Sequence, residues 1–116
     1  RDVLNNFVIA GFNQMPNDEI LEEMLINTYL TPTEVVAEFV DDMVKNDYRD
    51  MLHTITLPTL LLYGGDKNQV FPTAVGDWIQ KEIPHSQLVI FNNSGHAPFW
   101  EESKKYNRSI IDFVSK

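Results

Sequence analysis

Apolar residues recur at helical spacing through the first half of the chain, and in the second half they gather into short continuous runs. Val3, Leu4, Phe7 and Val8 give residues 1 to 13 one apolar helical face, with Gly11 loosening its end. Met15-Pro16-Asn17 breaks the pattern. Asn17 then caps a second helix, whose first turn carries Asp18 and Glu19 at the positive end of the helix dipole. Its stripe is Ile20, Leu21, Met24, Leu25, Thr28 and Tyr29. Thr31-Pro32-Thr33-Glu34 predicts another start, with a hydroxyl cap, proline at the first helical position and glutamate three residues after the cap. The third helix shows Val35, Val36, Phe39, Val40, Met43 and Val44, with Glu38, Asp41, Asp42 and Lys45 opposite. Stripes of this kind are expected to be core. Tyr48 to His53 reads as a short helical turn before Thr56-Leu57-Pro58.

The pattern changes at Pro58. Thr59-Leu60-Leu61-Leu62-Tyr63 is continuously apolar and bounded by proline and a glycine pair, which suits a strand covered on both faces. Gly64 to Gln69 is a loop, and Phe71-Pro72-Thr73 leads into a helix that buries Val75, Trp78, Ile79 and Ile83 and ends at Pro84. Ser86 to Phe91 is the next strand, and from about Glu101 a last helix buries Tyr106, Ile110, Phe113 and Val114. Strand, helix, strand, helix implies parallel pairing through a right-handed crossover. Both loops that follow a strand then open on the same edge of the sheet, which brings Asp66 and His96 together. Two strands cannot close a core, and an apolar edge invites pairing with another chain. The chain also begins with Arg1 rather than methionine. The expectation is a piece of a longer protein that dimerises, or pairs with the missing amino-terminal part.

Composition narrows the field. Hydrophobic residues make up 43% of the 116 positions, enough for a packed core. Lysine and arginine number 9 against 17 acids, a net charge of −8, which repels phosphate backbones and anionic lipid. No nucleic-acid or membrane partner is expected. The absence of cysteine removes disulfides and thiolate metal sites and fits a reducing, cytoplasmic setting. No apolar run approaches the roughly 18 residues of a spanning helix, and no signal-peptide pattern opens the chain.

A loop acid after one strand and a loop histidine after the next make two-thirds of a nucleophile–histidine–acid triad. In such a triad the histidine takes a proton from the nucleophile and returns it, and the acid fixes the imidazole tautomer. No nucleophile is evident. Ser86, Ser94, Ser103, Ser109 and Ser115 all lie outside a G-x-S-x-G elbow, and Ser94 reads as turn chemistry. The run Pro58 to Asp66, then Pro72, then Ile83-Pro84-His85-Ser86, then Ser94-Gly95-His96-Ala97-Pro98 with Glu101-Glu102, resembles the carboxy-terminal part of an α/β-hydrolase. In that family P-T-L-L-x-x-G is the seventh strand and S-G-H-x-P ends the eighth. The resemblance implies a partial α/β-hydrolase fold of the α/β class. Residues 1–57 would be helical lid, and residues 58–116 the β-α-β-α core segment with parallel strands.

The resemblance implies that His96 is the triad base. The family spacing puts Asn68 in the acid slot, and Asp66 lies two residues earlier. Asp66 is the expected orienting acid; an acid from the end of the sixth strand, or a weakened triad, are the alternatives, and Asp47 is a poorer candidate. His53 and His85 have no second ligand at helical spacing, so no metal and no cofactor are expected. Phe99 and Trp100 either line an acyl pocket or pack the final helix. Phe12, Met15, Met24, Phe39 and Met43 would give an apolar roof suited to a small uncharged acyl substrate. The function implied is a hydrolase of ester or similar acyl bonds, inactive without its nucleophile. The alternative is a non-catalytic, hydrolase-shaped interaction module.

Overall fold

A computed structural model describes residues 2–65 and 71–116. Helices α1 (Asp2–Ala10), α2 (Asp18–Tyr29) and α3 (Thr33–Lys45) come first, followed by a 3₁₀ turn at Arg49–Thr54. Strand β1 (Thr59–Gly64), helix α4 (Thr73–Glu82), strand β2 (Ser86–Phe91), a short α5 (Pro98–Glu101) and α6 (Ser103–Val114) complete the order. The strands pair in parallel, Thr59 opposite Ser86 and Gly64 opposite Phe91, so both finish at the same edge.

Side chains alternate along a strand, so α4 and α6 pack on opposite faces of this pair. On one face the Tyr63 ring lies directly against Gly76 of α4, where a Cβ would come within 3.0 Å of the ring. On the other, Phe91 is fully buried and its ring stands 5.8 Å from that of Tyr106 in α6. Ile83, at the end of α4, is also buried. Burying an aromatic or branched side chain contributes about 1.5–3 kcal/mol each, so Phe91 and Ile83 are principal anchors of this small core.

Several expectations hold at the level of single residues. Asn17 caps α2, its side-chain oxygen accepting from the Ile20 amide at 2.9 Å. The α2 stripe reaches half-burial rather than core, with no residue of the helix fully buried. Others are corrected. Thr31 does not cap α3: the helix begins at Thr33, so the cap position falls to Pro32, which has no side-chain acceptor. The α3 stripe is not core among the described residues, because Val35, Phe39, Val40, Met43 and Val44 are all exposed and α3 packs closely on no other described element. Trp78 and Val114 are likewise exposed. The last helix is two helices, interrupted at Glu102, whose φ of −125° and ψ of 45° are not helical.

The two strand edges differ. On β2, Lys105 Nζ donates to the Ile90 carbonyl at 2.6 Å and covers part of the outer edge. No described strand flanks the other side of β1. An apolar strand with an open edge seeks a partner, so we expect these 116 residues, prepared alone, to self-associate in sedimentation equilibrium. A monodisperse monomer would contradict that expectation.

Candidate active site

The segment after β2 forms a turn in which one residue stands out. Ser94 is wholly buried, Gly95, Ala97 and Pro98 are buried, and His96 between them is exposed. The backbone is fixed and the imidazole is free to meet another group. Its ring neighbour is Phe71, with centroids 5.2 Å apart. Leu62, Tyr63, Gly64, Phe71, His96 and Phe99 contribute to a recess of about 210 Å³ at this end of β1. Partial burial pushes the Tyr63 phenol up from its ordinary value.

The two loops that follow the strands are stitched together. The Gly65 amide donates to both Phe91 O at 2.8 Å and Ser94 O at 3.0 Å. A Cβ on Gly65 would come within 2.8 Å of Asn92 Cα, so only glycine permits this approach. Gly65 directly precedes Asp66, and Ser94 lies two residues before His96. Asp66 and Asn68 themselves lie outside the described residues.

Two consecutive acids hold the histidine turn. Glu102 Oε2 accepts from Ser94 Oγ at 2.7 Å and from the Asn93 amide at 3.1 Å. Glu101 Oε2 accepts from the Gly95 amide at 2.7 Å. Its other oxygen, Oε1, accepts from the Asn13 amide at 2.7 Å and the Gln14 amide at 2.5 Å, which reaches back to the loop after α1. That loop returns the contact: Gly11 O accepts from the His96 amide at 2.5 Å, and Asn13 Nδ2 donates to Asn93 O at 2.7 Å. In the sequence Gly11 marks only a loose helix end and Glu101 only the start of the last helix. Nothing in their spacing signals contacts made across 88 positions.

The other candidates are arranged differently. Ser94 is a turn residue whose hydroxyl is engaged by Glu102, as expected. Asp47 is bound by its neighbour Arg49, Nε at 2.8 Å to Oδ1 and Nη2 at 2.5 Å to Oδ2. That pairing holds its carboxyl down to about 2. His85 is exposed after α4, and His53 lies in the 3₁₀ turn. Phe99 meets the Tyr106 ring of α6 edge-on at 6.3 Å and also contributes to the wall of the recess. Among the described residues, no cluster of three or more histidine or acidic residues is placed to hold a metal, and no helix is long and apolar enough to cross a membrane.

Comparison with known proteins places the geometry in context. Residues 14–103 match a family model described as the alpha/beta hydrolase fold. A 2-hydroxy-6-oxononadienedioate/2-hydroxy-6-oxononatrienedioate hydrolase of Cupriavidus pinatubonensis is 35% identical over 102 residues, covering 84% of this chain and 35% of the relative. A pimeloyl-(acyl-carrier protein) methyl ester esterase of Neisseria meningitidis serogroup B is 30% identical over 81 residues, covering 70% of this chain and 31% of the relative. The chain therefore spans about a third of the length of the curated relatives it matches. Among solved structures, an esterase from Exiguobacterium antarcticum superposes with a TM-score of 0.92 at 23% identity, over 99% of this chain and 42% of that one, a likeness of fold.

The buried hydroxyl offers a direct stability test. Ser94→Ala removes a hydrogen bond to a carboxylate and is expected to cost about 1–3 kcal/mol. Urea unfolding of the full-length protein reads this as a lowered midpoint, and an unchanged midpoint would show that the bond contributes nothing.

Proposed function

Because the chain belongs to the α/β-hydrolase fold family, we propose that it is the carboxy-terminal portion of a hydrolase that cleaves an ester or similar acyl bond. In this reading residues 1–57 form its helical lid. His96 is the general base that takes the proton of a serine supplied outside these 116 residues, and then the acid that protonates the leaving group. Asp66 is the carboxylate that orients the imidazole and stabilises its charged form. The observation that carries the proposal is the exposed imidazole on a turn whose neighbours are buried. Such a group is held still by its backbone and remains open to a reacting partner.

The stitching of Gly65 to Ser94 supports the role of Asp66, because it ties the start of one loop to the approach of the other. Of the two activities named among the relatives, ester hydrolysis suits this chain better. The described lining of the recess is apolar and aromatic apart from His96, which suits an uncharged group. The net charge of −8 acts in the same direction. A small uncharged acyl group is the substrate class that these residues favour.

In the full-length protein, His96→Ala should lower kcat/KM for a p-nitrophenyl ester by about three orders of magnitude or more. Unchanged hydrolysis would instead leave a hydrolase-shaped interaction module, as Asn68 in the acid slot would suggest. Asp66→Asn should cost about two to four orders. A silent Asp66→Asn beside an inactive His96→Ala would assign the acid to another strand end.

A further inference from the structure

Glu101 has an arrangement that helix geometry does not require. Its carboxylate gathers three backbone amides from two distant segments, those of Asn13 and Gln14 on one oxygen and that of Gly95 on the other. Its described partners are amides rather than a lysine or arginine, so the charge is used to fix backbone. The same two segments are joined again by the His96 amide donating to Gly11 O, and by Asn13 Nδ2 donating to Asn93 O. The approach is close enough to exclude a side chain at Gly95, where a Cβ would lie 2.6 Å from Gly11 O and 2.9 Å from Asn13 N.

From this we infer that Glu101 is a positioning residue for His96: it clamps the Gly11–Gln14 loop onto the histidine turn, so that the first helical segment and the imidazole move as one rigid unit. The inference rests on His96 being the base and deepens that reading. Glu101 touches no reacting atom. It acts by setting where the His96 backbone lies, and an imidazole displaced by about an ångström loses alignment with the nucleophile, worth up to about a hundredfold in rate. The clamp also links the α1–α2 connection to the histidine turn, so a displacement of those helices reaches His96 through its own amide bond to Gly11 O and through the Glu101 carboxylate on Gly95.

The test uses the full-length protein with a p-nitrophenyl ester, with wild type and His96→Ala measured alongside. Glu101→Gln keeps the volume but places an NH₂ group where an oxygen accepted amides. Its kcat is expected to fall about 10- to 100-fold with KM held within about twofold, while the amides of Asn13, Gln14 and Gly95 exchange faster with solvent. A folded Glu101→Gln enzyme with wild-type kcat and only a lowered melting temperature would overturn the inference, since a purely structural contact behaves that way. Should Glu101→Gln not fold, Gly95→Ala forces the same segments apart while keeping Glu101 itself. Its kcat should fall in the same way, and wild-type kcat in folded Gly95→Ala overturns the inference. The two readings fail differently. An active His96→Ala removes the base assignment, whereas an inactive His96→Ala beside a fully active Glu101→Gln removes only the clamp.

Discussion

A turn that buries its backbone while holding a histidine out in solvent leaves amides that need acceptors. Buried N–H groups without partners cost about as much as a lost hydrogen bond. Here the acceptors are two adjacent carboxylates, Glu101 and Glu102, supplemented by the Gly11 carbonyl. Everything that makes the site a site follows from this arrangement: the fixed course of Ser94 to Pro98, the exposure of His96 and the approach of the α1–α2 loop.

Consecutive residues on a continuous α-helix point about 100° apart and do not serve one locus. The break at Glu102, with φ −125° and ψ 45°, lifts that restriction. Glu101 closes α5 and Glu102 precedes α6, and both side chains turn back toward the residues just upstream. The interruption that looks like a flaw in the last helix is therefore what lets neighbouring acids hold the same turn. Parallel pairing provides the rest of the frame. Gly64 lies opposite Phe91, so the loops begin together, and the Gly65 amide joins them before they diverge.

Much of this architecture is legible in the sequence because it is local. Apolar runs mark both strands, that of β1 bounded by proline and a glycine pair and that of β2 with the boundaries expected. Asn17 caps α2 as its type predicts, and the order of elements makes the pairing parallel. The α/β-hydrolase likeness written in Ser94-Gly95-His96-Ala97-Pro98 is matched by the family model and by the fold. What periodicity cannot convey is what covers a face. The stripe of α3 is as regular as that of α2, yet one is exposed and the other half-buried, because burial depends on what packs there. Nor can a sequence pattern announce that Glu101 accepts amides from Asn13 and Gln14, since backbone donors carry no residue signature. Topology points to Asp66, which lies among the residues that the structure does not describe.

The role proposed for His96 requires its ring to face a nucleophile supplied outside these residues. A crystal structure of the full-length protein tests this most directly, through the distance from His96 Nε2 to the nearest serine Oγ on a strand-to-helix elbow. The expected result is hydrogen-bond reach, about 2.6–3.2 Å, with the Glu101 carboxylate still on the Gly95 amide. An imidazole turned away from any hydroxyl, or packed beneath the helices with no opening beside it, would contradict it.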